Sequence, residues 1–162
     1  GIVAQAPDSR YLELGNDDNF ADWRARLHSP DDRIKKVFCL PDNLADYNDA
    51  ALKILMKSEG LGFATAQISL DHHPLQTSNK VISVLRWYEF PFDPSLLRGK
   101  IQTACYLRLA FISAQGVELH VLGDQDAPAG ASMFNYQETS DLSADEGVQP
   151  GEYMIRLVLR KR

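Results

Sequence analysis

The residues best suited to chemistry begin with Asp71, His72 and His73, which stand together just ahead of Pro74. Carboxylate and imidazole suit a zinc-type metal, which asks for several converging ligands. Adjacent histidines on an extended chain point to opposite sides, so one of the two joins such a site. Glu118 and His120 would complete it if the fold brought them near. The competing reading is a polar strand end entering a turn. Cys39 and Cys105 are the chain's 2 cysteines. They form a disulfide across a sandwich, or they remain two thiols acting as small hydrophobes. A reactive thiolate needs an exposed, electropositive setting. Cys105 falls on the apolar side of its segment, so burial is expected there. The densest aromatic run is Leu85 to Phe92, LRWYEFPF, with Trp87, Tyr88, Phe90 and Phe92. Neighbouring Trp87 and Tyr88 face opposite ways on a strand. One aromatic set then packs inward and the other stacks on a sugar ring or anchors a protein, unless both sides are covered.

Other chemistries lack their signatures. Gly60-Leu61-Gly62 follows a predicted helix and precedes a strand, the reverse of the order that aims backbone N–H groups at phosphate. There is no Walker lysine pattern, G-x-S-x-G elbow or C-x-x-C pair, and no cofactor is expected. The acidic residues Asp124 and Asp126, and Asp141, Asp145 and Glu146, offer oxygen ligands for calcium, but no EF-hand spacing; solvated loops are the alternative.

The elements that must position these residues are mostly strands. Lys100 to Gly123 reads as two long strands joined by a turn at Ala114 to Gly116. Ile101, Thr103, Cys105, Leu107, Leu109 and Phe111 share one face of the first, and Val117, Leu119 and Val121 one face of the second. Further strands are expected at 11–14, 33–40, 62–70, 80–90, 133–139 and 152–160, the last with Tyr153, Ile155, Leu157 and Leu159 inward. Phe20, Trp23 and Leu27 after the cap-forming Asn16 to Asn19 predict a short N-terminal helix. Leu44, Tyr47, Ala51, Ile54 and Leu55, followed by Gly60, predict an amphipathic helix over 43–59. The expected fold is mainly β, an antiparallel β-sandwich, jelly-roll or immunoglobulin-like, of about seven or eight strands with these two helices. Pro150-Gly151-Glu152-Tyr153-Met154-Ile155-Arg156-Leu157 resembles the last strand of many immunoglobulin-like modules, a likeness covering one strand. Residues 1–9 read as a flexible lead-in and 10–162 as one domain.

A chain of 162 residues can bury a core without metal or disulfide. Its net charge of −5 argues against binding to nucleic acid, which needs clustered lysine and arginine. Arg108 interrupts the most apolar window, and nothing approaches the roughly 20 residues of a membrane helix, so no membrane insertion is expected. Ile2 to Ala6 looks like the end of a secretory signal with an A-x-A site, although Pro7 follows it poorly. With the cysteine pair this favours a periplasmic or secreted protein over a cytoplasmic one. The first expectation is therefore a non-enzymatic, exported binding or accessory module that recognises a protein or glycan partner. The alternatives are a small hydrolase-type enzyme with a cleft hidden from sequence, and a structural or assembly subunit.

Overall fold

The computed structural model describes residues 2–3, 10–15, 21, 23–75, 80–124, 132–134 and 152–162. Two antiparallel sheets pack face to face around one core, with almost no helix. In chain order the strands are β1 (Ile2–Val3), β2 (Tyr11–Leu14), β3 (Trp23–Leu27), β4 (Arg33–Cys39), β5 (Asp49–Glu59), β6 (Ala64–Leu70), β7 (His73–Pro74), β8 (Val81–Ile82), β9 (Arg86–Phe92), β10 (Gln102–Ile112), β11 (Glu118–Asp124), β12 (Ser132–Phe134), β13 (Glu152–Tyr153) and β14 (Ile155–Arg160). Short 3-10 turns occupy Leu44–Asp46 and Pro94–Leu97.

The larger sheet is built on β5. One edge of β5 pairs with β9 from Ala50↔Phe92 to Met56↔Arg86. The other edge is shared: Asp49 to Ile54 pair with β14, and Met56 to Glu59 with β11. Between them the Leu55 N–H donates to the Met154 carbonyl at 3.1 Å, so the junction leaves no gap in the ladder. β14 continues outward to β2 and β1, while β11 carries β3 and β13. The smaller sheet runs β12-β4-β10-β6-β7, with β8 also on β6. Its centre is β10, whose Thr103, Cys105, Leu107 and Leu109 are buried as the alternation predicts.

The long strands alternate between sheets. β4, β6, β10 and β12 lie in the smaller sheet, and β5, β9, β11 and β14 in the larger. The turn after β10 is thus a crossover between sheets rather than a hairpin. A β-bulge between Leu109 and Phe111 precedes it. The bulge resets the alternation, so Phe111 turns outward and Ile112 packs against the core. Ile101, just ahead of β10, is also exposed. These two residues depart from the expected inward set.

Both predicted helices are strands. In β5 the residues Ala50, Leu52, Ile54 and Met56 are buried in the core. The intervening Lys53, Leu55 and Lys57 are half-buried on the opposite face, a period of two rather than 3.6. The pairing partners on both edges favour the extended form, and β9 lies against the segment as a neighbouring strand instead of beneath it. Trp23 and Leu27 likewise belong to β3, paired with β11; Asn16 to Phe20 lie outside the described residues. The expected strand over 80–90 is broken at Ser83 to Leu85 into β8 and β9, and β8 belongs to the smaller sheet. Within 1–9, Ile2 and Val3 pair with Leu14 and Glu13.

The core is mainly apolar but takes in a few polar groups, Lys36, Thr103, Ser132 and Glu152 among the described residues. Lys36 lies inward on β4 between Ile34 and Phe38, fully buried. Its ammonium donates to the Tyr153 carbonyl at 2.6 Å across the sheets, which supplies a partner for a charge that burial would otherwise penalise.

Candidate functional site

β9 sorts its aromatic residues by parity. Tyr88 and Phe90 point into the core, and Phe92 packs at its margin. The Tyr88 hydroxyl accepts from the Ser83 N–H at 3.0 Å and donates to the Val84 carbonyl at 2.7 Å, which pins the bend before β9. Lys80 donates to the Glu89 carbonyl at 2.6 Å, and its ammonium lies 5.3 Å from the Phe90 ring centre. Of the aromatic residues singled out in sequence, only Trp87 faces outward. It stays half-buried on the outer face of the larger sheet.

Trp87 sits in a ladder of charged and aromatic side chains that crosses β2, β14, β5 and β9. The Lys53 ammonium lies 4.9 Å and the Arg156 guanidinium carbon 4.6 Å from its ring centre, both within cation–π range. Glu13, buried on β2, accepts from Lys53 at 3.3 Å and from Arg156 at 3.1 Å. The Tyr11 hydroxyl donates to Glu13 at 3.1 Å. Burial, then the Glu13 charge and this hydrogen bond, push the Tyr11 hydroxyl above its ordinary pKa. Arg160 pairs with Glu89 at 2.7 Å and lies 5.6 Å from the Tyr11 ring centre. Lys53 and Arg156, the two cations against the Trp87 ring, share the Glu13 carboxylate. Such a surface offers stacking and charge-assisted hydrogen bonds. Its carboxylates are held by cations rather than paired with each other for acid–base work.

Tyr11, Glu13, Lys53 and Arg156 escaped the sequence reading. Their signal was parity: each alternates with core residues of its own strand, as Lys53 does between Leu52 and Ile54. Reading 43–59 as a helix removed that parity from Lys53.

Asp71 has a left-handed backbone (φ 53°) at the turn after β6. Its carboxylate accepts from Lys100 at 2.6 Å, Thr103 at 2.7 Å and the Ala104 N–H at 3.0 Å. Burial pushes this carboxyl up, but the three hydrogen bonds and the Lys100 charge outweigh it and hold the group below the usual carboxylate range. His72 and His73 are exposed beside it. Among the described residues no three His, Cys, Asp or Glu side chains gather as a metal cluster. His120 and Glu118 lie instead on the outer face of the larger sheet, 3.0 Å apart, with Arg26 on the same carboxylate at 3.2 Å. Hydrogen bonds from His120, then from Arg26, lower the Glu118 carboxyl. The His120 Nδ1 is buried without a hydrogen-bond partner among the described residues. Asp124 is buried at the end of β11; Asp126, Asp141, Asp145 and Glu146 lie outside the described residues.

The cysteines are both free, which corrects the disulfide alternative. Cys39 is the Cα partner of Gln102, three positions from Cys105 along β10. Three strand residues span about 10 Å, beyond the ~7 Å limit for a bridge. The odd offset also puts the two side chains on opposite faces, Cys39 exposed and Cys105 buried.

No protein-family model matches this chain, and no curated protein is significantly similar to it.

Proposed function

We propose that this chain is a non-enzymatic binding module that docks a glycan or a protein partner on the outer face of its larger sheet. One observation carries the reading: Trp87 faces outward, half-buried, with Lys53 and Arg156 against its ring. The indole presents an apolar surface for a sugar ring or an apolar side chain, half-buried Lys53 supplies a donor to hydroxyls and carboxylates, and buried Arg156 braces the ring from below. A glycan suits this flat, polar-rimmed ring better than a protein hot spot, which is normally enclosed in a desolvated pocket. Within this proposal the architecture is a jelly-roll-like sandwich, since its long strands switch sheets at each step whereas immunoglobulin-like sandwiches include hairpins within a sheet. An exported location is part of the same reading, and the cysteines no longer contribute to it.

The test is isothermal titration calorimetry with a panel of neutral and acidic oligosaccharides, for wild type and Trp87→Ala. Binding that weakens by about tenfold in Trp87→Ala, with the native strand signal kept by circular dichroism, is expected. Equal binding by wild type and Trp87→Ala would move the site elsewhere. Silence across the panel, together with capture of a partner protein that depends on Trp87, would replace the glycan by a protein.

A further inference from the structure

Acidic side chains are segregated between the sheets. None of the six strands of the smaller sheet contains Asp or Glu, whereas five of the eight strands of the larger sheet do. The outer face of the smaller sheet carries Arg33 and Lys35 on β4 and Arg108 on β10. Arg33 and Arg108 are Cα partners. Lys35 lies 5.4 Å from the ring centre of its own partner, Tyr106. In a chain of net charge −5, strands free of acids among the described residues that carry outward cations mark a basic stretch of surface.

That face runs into an apolar end. Six large hydrophobic residues are exposed among the described residues, and all but Ile101 gather where the chain crosses between sheets after β5, β8 and β10. Leu61 is 97% exposed at the tip of the β5–β6 connection, and Val84 and Leu85 form the β8–β9 bend. Val81 and Phe111 flank Thr65 in one row across the smaller sheet, and the Phe111 ring centre lies 5.9 Å from that of Phe63. The connections are tied together, Ser58 N–H to the Ser83 carbonyl at 2.8 Å and Ser113 N–H to the Phe63 carbonyl at 2.9 Å. Arg86 and Arg108 are exposed beside the tips and make no ion pair among the described residues. Of the nearby acids, Glu59 pairs with Lys57 at 2.9 Å, and Asp32 accepts from the His28 and Ser29 N–H groups at 2.9 and 3.1 Å; Asp31 is exposed.

We propose that this end and the adjoining basic strands seat the protein on an anionic lipid bilayer, with Leu61, Val84, Leu85 and Phe111 entering the headgroup region and Arg86, Arg108 and Lys35 meeting lipid phosphates. Projecting apolar tips beside cations match the two forces that hold peripheral proteins at an anionic interface. A soluble polyanion would use the cations and leave the tips wet. A second copy would need roughly 800 Å² of buried surface per partner, and the tips expose on the order of a few hundred Å². The bilayer surface is distinct from the Trp87 face, so either reading can fail alone.

Vesicle flotation with phosphatidylcholine, with and without phosphatidylglycerol, tests this. Wild type partitions onto the anionic vesicles, and salt weakens the binding. Arg108→Glu reduces partitioning by about fivefold or more, and the double variant Leu61→Ser, Val84→Ser by about tenfold, with melting temperatures unchanged because all three side chains are exposed. Equal affinity for both vesicles, no affinity for either, or variants that behave as wild type overturn the proposal. Binding of dextran sulfate without vesicle partitioning replaces the bilayer by a soluble polyanion. Concentration-dependent dimers lost in the Leu61→Ser, Val84→Ser variant replace it by self-association.

Discussion

Asp71 shows what a single side chain does in this fold. Its carboxylate joins the turn after β6 to the start of β10 through Lys100, Thr103 and the Ala104 N–H. Asp71→Asn removes the charge-assisted part of that clamp and is expected to cost about 1–2 kcal/mol, after discounting for solvent screening at a half-open site. The folded carboxyl is depressed, so its contribution is complete above the unfolded value near 3.9 and disappears as pH falls through the folded value. The difference in melting temperature between wild type and Asp71→Asn should therefore be full at neutral pH and shrink as pH falls below the unfolded value. The cysteines give a second residue-level test. Burial pushes the Cys105 thiol up to about 12, against a lowering from the Lys36 charge, whereas Cys39 is exposed. Iodoacetamide at neutral pH should label Cys39 alone in the native protein and both cysteines in denaturant, as read by peptide mass. The clamp on Asp71 was invisible in sequence because its donors lie 29 to 33 residues away. The local string Asp-His-His advertised a ligand set, while the fold used the aspartate as a tie.

Among the elements, β6, β10, β11 and β14 were legible because apolar residues recur at every second position, whereas β4 was legible as a strand but not in its register, since Lys36 faces inward and Val37 outward. β5 was misread because both periods fit it. Leu44, Tyr47, Ala51, Ile54 and Leu55 satisfy a helix, while Ala50, Leu52, Ile54 and Met56 satisfy a strand, and Lys53 and Lys57 are compatible with either. Pairing on both edges decided the matter, and pairing is not a local property. The outward position of one member of the Trp87–Tyr88 pair followed from strand alternation alone, but the cations that frame Trp87 come from two other stretches of chain. The connection after β5 offers an element-level prediction. Gly60 has φ +103°, and a Cβ there would meet the Gly116 carbonyl oxygen at 3.1 Å. Gly116 also has positive φ, at +87°, but faces open space. Gly116→Ala should therefore cost only the backbone strain, about 1 kcal/mol, and Gly60→Ala distinctly more, measured by urea denaturation.

At the scale of the whole molecule, charge and connectivity are arranged separately. Charge is sorted by sheet, and the chain path interleaves the sheets. Composition announced a net acidic body, but not that the described strands of one sheet would contain none of the acids, since that depends on which strands share a sheet. The alternation of long strands has a consequence for how the molecule comes into being. A long strand never pairs with the next long strand along the chain, so among the described residues local pairing is confined to the short β1–β2, β6–β7 and β6–β8 contacts. Loop closure must be met before most pairing returns anything, which places folding in the slow range of milliseconds to seconds. Cutting the chain at Leu61 would give two pieces that each carry strands of both sheets and complete neither. Each piece alone should lack a cooperative thermal transition by circular dichroism, while an equimolar mixture should regain one. The two halves of this protein are interlocked parts of one object, and each supplies the template on which the other is ordered.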